Sequence, residues 1–226
     1  MSFVPKLSTL PDAQRALWAE LRQLPQRFAL YGGTALALRL GHRKSEDFDF
    51  FTDAPMEPAE LLQVLPLLKD AIVRQAAPNT LTVSINPACP VKVSFFGLSC
   101  RRVRDPERTD DGVARVASLL DVAGFKMAVL PQRAEAKDYL DAHALMQHGV
   151  ELSDALGAAQ AIYGPQFNPA LTLKALTYFN DGDLPRLPEP VKRDLKAAAA
   201  SVTQITDFEP LPGGLVPPER ADFSRS

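Results

Sequence analysis

With 226 residues, 46% hydrophobic and 23% charged, the chain has the composition of an ordinary globular protein and lies outside the disordered and fibrous classes. A formal net charge of −2 excludes a global basic field, so any nucleic-acid contact must come from a local patch. The start, MSFVPKLSTL, lacks the basic and apolar runs of a secretory signal, and charges such as Asp121 and Lys126 interrupt the apolar stretches before they reach the ~20 residues that span a bilayer. A cytoplasmic location and no membrane partner are expected. Cys89 and Cys100 flank VKVSFFGLS without the paired spacing of a zinc site, and both are expected to be buried reduced thiols.

In chain order, PDAQRALWAELRQL repeats apolar residues at three- and four-residue intervals and predicts an amphipathic helix with Pro11 at its start. Residues 28–31 predict a short buried strand running into Gly32 and Gly33. Thr34 is then expected to cap a helix that runs through Leu40 and stops at Gly41. In DFDFF, Asp47 and Asp49 alternate with Phe48 and Phe50, which predicts a strand with both carboxylates on one face. Residues 58–76 read as a helix kinked or split at Pro66. Residues 80–85 and 91–96 read as two neighbouring antiparallel strands. From Ser118 onward the periodicity is helical: SLLDVAGFKMAVL, then RAEAKDYLDAHALMQHG, then apolar stretches around 154–163 and 170–178. The organisation is α+β over residues 1–117, a helical region packed on it over 118–205, and a Pro- and Gly-rich tail over 206–226 expected to be extended or disordered.

The chemistry concentrates in YGGTALALRLGHRKSEDFDFF. Glycines at a strand end let backbone N–H groups approach phosphate oxygens, and a helix beginning there adds the positive end of its dipole, which places a triphosphate at Gly32, Gly33 and Thr34. Two carboxylates on one strand face, Asp47 and Asp49, suit Mg2+, a cation that takes oxygen ligands and bridges substrate phosphates. Ser45, two residues before Asp47, can point toward the same site, or it is a turn serine.

The order of glycine pair, helix and Asp-x-Asp resembles the signature of the nucleotidyltransferase superfamily, whose fold is a small mixed or antiparallel sheet flanked by helices. HRKSEDFDFF with KDYLDAHAL resembles more narrowly the AbiEii/AbiGii toxin family of bacterial nucleotidyltransferases, over about residues 28–180. The resemblance implies a nucleotide and metal site on Gly32, Gly33, Asp47 and Asp49, and a second group on Lys126, Arg133, Lys137, Asp138 and Asp141. It further implies Mg2+-dependent transfer of a nucleotidyl group from a nucleoside triphosphate to a tRNA or protein acceptor. The protein would then be the toxin of a toxin–antitoxin or phage-defence pair with a separate antitoxin partner.

The residues themselves agree in part. Lys137 and Asp141, four apart, and Asp138 and Asp141, three apart, share a helix face, as catalytic groups or as an exposed ion pair. Lys126 lies in an apolar helix, where a buried charge needs a phosphate or carboxylate partner unless it snorkels to solvent. Many nucleotidyltransferases carry a third carboxylate on a later strand; the matching position in VKVSFFG is Ser94, so either Asp138 or Asp141 takes over proton acceptance or the site holds nucleotide without efficient turnover. Lys92 shares the face of Ser94 and is expected to meet phosphate. His42, His143 and His148 lack the spacing of a ligand set, and Arg101, Arg102 and Arg104 form a basic cluster suited to an acidic or RNA acceptor or to a solvated loop. The alternatives to transfer onto RNA or protein are a non-catalytic nucleotide- or partner-binding descendant of the fold and a small-molecule nucleotidyltransferase.

Overall fold

The computed structural model describes residues 2–86, 88–97 and 101–211. Strands β1 (Ser2–Phe3), β2 (Ala29–Tyr31), β3 (Phe48–Thr52), β4 (Ile72–Ala77), β5 (Thr80–Ile85), β6 (Val91–Gly97), β7 (Glu107–Thr109) and β8 (Arg115–Val116) form one mixed sheet in the order β1-β7-β8-β2-β3-β6-β5-β4. The helices are α1 (Asp12–Trp18), α2 (Gly32–Leu40), α3 (Pro58–Val64), α4 (Leu119–Val129), α5 (Ala136–Gln147), α6 (Leu152–Tyr163), α7 (Pro169–Ala175) and α8 (Glu189–Ser201).

The two faces of the central strands differ because side chains alternate along a strand. Phe48, Phe50 and Phe95 point to one face, where they pack against Trp18 and Phe28; the Phe50 and Phe95 rings lie 5.8 Å apart and the Phe28 and Phe95 rings 5.4 Å apart. The other face carries Asp49 and Phe51. Since β3 runs parallel to β6 with Asp49 opposite Ser94 and Phe51 opposite Phe96, that face has matched rows on the two strands. One hydrophobic core runs from Leu10 to Leu195 and joins the sheet to the helices.

Helix α2 is held on the sheet by Arg39, which donates to the carbonyls of Ala117 (2.9 Å) and Val116 (3.1 Å). Gly41 ends the helix with φ +73°, a left-handed conformation that glycine adopts without strain. Helix α4 starts at Ser118, whose hydroxyl accepts from the Asp121 N–H at 3.0 Å. It lies so close to α6 that a Cβ on Gly124 would come within 2.9 Å of the Ala159 nitrogen. Helices α4 and α5 both pack on α2, and this brings residues 119–147 over the glycine turn.

Several elements depart from the sequence reading. The helical pattern of 12–23 holds as α1 only to Trp18 and tightens to a 3-10 turn over Ala19–Gln23. Residues 58–76 are α3, a 3-10 turn at Pro66–Leu68 and then an extended edge strand, β4, held by pairing with β5. Helix α2 begins at Gly32 with Tyr31 as its extended N-cap, so Thr34 is not the cap. Strands β1, β7 and β8 and helix α8 carry no signal that was read individually. Cys89 is exposed, contrary to the expected burial, and Cys100 lies outside the described residues. Residues 206–211 have no regular secondary structure, and the rest of the expected tail lies outside the described residues.

Candidate active site

A cavity of about 630 Å³ opens between the polar face of β3 and β6, the start of α2, the 43–47 loop and helix α4. Small-molecule sites commonly occupy roughly 300–1,000 Å³. Gly32, Gly33, Ser45, Asp47, Asp49, Lys92, Lys126, Arg133 and Lys137 all line it, so two groups separated by some eighty residues of sequence share one cleft. Arg43, Lys44, Lys92, Lys126, Arg133 and Lys137 face Glu46, Asp47 and Asp49 across it, an excess of cations among the described lining residues.

At the glycine turn, Gly32 has φ +73°, and a Cβ there would meet Asp49 Oδ2 at 3.1 Å. A Cβ on Gly33 would stand 2.5 Å from Nη2 of Arg43 and 3.2 Å from Oγ of Ser45. A side chain at Gly32 would press on the Asp49 carboxylate as well as strain the backbone, and one at Gly33 would displace the Arg43 guanidinium. No side chain caps this end of α2, so its first N–H groups carry the positive end of the helix dipole toward the cleft.

On the sheet side, Asp49 sits at the polar face of β3, and Asp47 immediately precedes the strand. Burial and then the neighbouring Asp47 charge push the Asp49 carboxyl above its ordinary range, against the pull of Lys92, a hydrogen bond with Ser94 and Lys126. Ser94 is buried beside Asp49 on the adjacent strand. Lys92 stands 3.3 Å from Asp47 Oδ2, both side chains about half exposed, and so meets a carboxylate rather than being free. Thr34, expected to touch phosphate, is buried behind the cleft: its hydroxyl donates to the Asp47 carbonyl and lies 2.8 Å from the Ser45 hydroxyl. Its place is to fix the backbone of the aspartate loop.

Behind the cleft wall lies an ionic network that the spacing did not reveal. Lys126 Nζ is 2.7 Å from Asp138 Oδ1 and 2.6 Å from Asp141 Oδ2, and both carboxylates are fully buried. Asp138 also takes Arg133 Nε at 2.8 Å. Asp141 takes Arg43 through Nε (2.6 Å) and Nη2 (2.8 Å), a two-pronged pair, and His42 Nε2 at 2.7 Å. For Asp141, burial alone would raise the pKa; the bonds from His42 and Arg43 and the Lys126 charge outweigh it and hold the carboxyl far below the ordinary range. Asp138 is held down against burial in the same way by Arg133 and Lys126.

These contacts correct two expectations. Asp138 and Asp141 do not line the cleft, and paired carboxylates of depressed pKa have neither the access nor the basicity of a general base. Lys137 does not pair with Asp141: it lines the cleft rim and binds Glu135 at 2.7 Å, while Asp141 turns inward to Lys126 and Arg43. Lys126 reaches the cleft already paired with two carboxylates.

Outside the cleft, His143 meets Asp194 at 3.1 Å and His148 bonds the Ala144 carbonyl, while Arg102 is buried in an ion pair with Asp105 at 2.9 Å. Arg104 lies 5.8 Å from the Phe208 ring and, like Arg101, is exposed, so burial of Arg102 splits the basic cluster. The sequence reading also passed over Arg43, which joins the glycine turn to α5. Its only signal was its place in the loop leading to the Asp-x-Asp pair.

Residues 15–210 match the family of nucleotidyl transferase AbiEii toxins of type IV toxin–antitoxin systems. The chain belongs to the AbiEii family. An uncharacterised protein of Aquifex aeolicus (strain VF5) is 31% identical over 157 residues, 68% of this chain and 74% of that protein. A crystal structure of a candidate nucleotidyltransferase from H. pylori superposes with a TM-score of 0.54 at 18% identity, covering 83% of this chain and 90% of that one. At that identity the likeness is one of fold, and it places the AbiEii chain on the nucleotidyltransferase fold. Among the described residues no helix is long and apolar enough to cross a membrane.

Proposed function

We propose that this AbiEii-family chain moves a nucleotidyl group from a nucleoside triphosphate to a hydroxyl of an RNA (tRNA) or protein acceptor, as the toxin partner of a separate antitoxin in the cytoplasm. The observation that carries the reading is the convergence of Gly32, Gly33, Asp47, Asp49 and Lys126 on one cation-rich cleft. The phosphates lie along the start of α2, where uncapped N–H groups, the helix dipole and the Arg43 guanidinium face them. Asp47 and Asp49 would hold Mg2+: two carboxylates fit an ion that completes its shell with water and substrate phosphate, and a cation there would offset the burial and the Asp47 charge that raise Asp49. Once bound, the ion would neutralise phosphate charge and acidify the attacking hydroxyl.

In the transfer, the acceptor oxygen bonds to the α-phosphorus as the bond to the β-phosphate oxygen breaks; pyrophosphate leaves and the hydroxyl proton passes to solvent. Lys92, Lys126, Arg133 and Lys137 stabilise charge on the phosphates from the rim and roof of the cleft. Asp138 and Asp141 act through others, fixing Lys126, Arg133 and Arg43 in place. Ser94 beside Asp49 favours a second reading, nucleotide binding without efficient turnover. Incubating the protein with each α-labelled triphosphate, Mg2+, total RNA and cell protein separates the readings: label in RNA or protein supports transfer, and binding without covalent label supports the second.

A further inference from the structure

The cleft is charged at one end and aromatic at the other, and the gradient follows from strand register. Along β3 the cleft face runs from Asp47 through Asp49 to Phe51, and the parallel partner runs from Lys92 through Ser94 to Phe96. At ~3.3 Å per residue the ring of Phe51 is about 7 Å along the strand from Asp49 and about 13 Å from Asp47. The Phe51 and Phe96 rings are 4.8 Å apart, and Phe125, one residue before Lys126 on α4, closes over Phe51 at 5.8 Å. All three line the cavity and keep partial exposure, whereas Phe48, Phe50 and Phe95 on the reverse face are 0%, 2% and 0% exposed. Rings left open at the far end of a phosphate-sized charged cleft call for a planar occupant.

We infer that Phe51, Phe96 and Phe125 seat the base of the nucleoside triphosphate, and that this seat ranks bases by ring area and not by their hydrogen-bonding edge. The inference rests on the proposed transfer reading for the phosphate end. Among the described residues at the aromatic end, Tyr31, Phe51, Phe96, Phe125 and Val129, only Tyr31 has a polar side-chain atom, and Tyr31 is 1% exposed. Strong discrimination between bases needs polar groups that one base satisfies and another leaves unpaired; apolar ring contact tolerates every base.

The test is calorimetric titration of the full chain, with Mg2+, by inorganic tripolyphosphate, ATP, GTP, CTP and UTP. Stacking contributes enough that each nucleotide should bind ~10–100-fold tighter than tripolyphosphate, with ATP and GTP equal within about threefold and the pyrimidines weaker by no more than about tenfold. Phe96→Leu and Phe125→Leu keep apolar volume and lose the ring face; each should weaken nucleotide binding about tenfold and leave tripolyphosphate binding unchanged. Nucleotides that bind no tighter than tripolyphosphate, or a preference for one base above about 100-fold, overturn the inference while leaving the phosphate site standing. Unaltered nucleotide affinity in both variants overturns it as well. If neither tripolyphosphate nor any nucleotide binds, the transfer reading fails and this inference falls with it.

Discussion

Replacing Lys126 by methionine keeps most of the aliphatic stem and removes the ammonium from between Asp138 and Asp141, 2.7 and 2.6 Å away. Removing one partner of a buried ion pair costs about 3–5 kcal/mol, because the remaining charge is left without compensation. Here each carboxylate keeps a second cation, Arg133 for Asp138 and Arg43 for Asp141, so the low end, about 3 kcal/mol, applies. For a chain of this size each kcal/mol moves Tm by ~2–4 °C, so Lys126→Met should melt about 6–12 °C below the parent at pH 7. The effect has a pH signature. The folded-state pKa values of Asp138 and Asp141 are depressed, so their contribution is fully present above the unfolded value near ~4 and is lost as pH falls through the folded values. Methionine lessens that depression, so the gap between parent and variant should narrow as pH falls through the variant's folded-state values, which Arg133 and Arg43 still hold below the unfolded one. Scanning calorimetry at several pH values reads both quantities. A Tm shift under about 2 °C at pH 7 would refute the network as an energetic unit.

Asp47→Asn and Asp49→Asn should each abolish nucleotidyl transfer, with circular dichroism and Tm close to the parent, since Asp47 is half exposed and burial and the Asp47 charge disfavour the ionised Asp49; retained transfer in either removes the metal assignment. Gly33→Val should weaken triphosphate binding in calorimetry by displacing the Arg43 guanidinium 2.5 Å from the new Cβ, and unchanged affinity would detach the glycine turn from the phosphates. Ser94→Asp places a third carboxylate beside Asp49, so its Tm should rise on adding Mg2+ by more than the parent's does; equal responses would mean that position does not face the metal site.

The strand, glycine turn and helix around residues 29–40 and the alternating DFDFF strand were legible because each rests on local periodicity and turn chemistry. The helix expected over residues 58–76 takes in most of IVRQAA, residues 72–77, where Arg, Gln and Ala favour helix; the extended state there comes from pairing with β5 at an exposed edge. Strands of two or three residues such as β7 and β8 exist only through their partners. For the site, spacing showed that Asp138 and Asp141 share a helix face, but it could not show which way that face turns. Their partners Lys126, Arg43 and His42 come from elsewhere in the chain, so a face expected to hold catalytic groups or an exposed ion pair is a buried clamp. The aromatic end of the cleft escaped notice for the same reason: Phe51 and Phe96 are alternate strand residues, and only the parallel register brings them together.

The most direct test of the central claim runs two labels in parallel on the full chain with Mg2+ and total RNA or cell protein, one triphosphate labelled at the α-phosphorus and one at the γ-phosphorus. Nucleotidyl transfer predicts α-label on the acceptor and γ-label in pyrophosphate, both lost in Asp49→Asn. Label from the γ-phosphorus on the acceptor, or α-label transfer that survives Asp49→Asn, would contradict it.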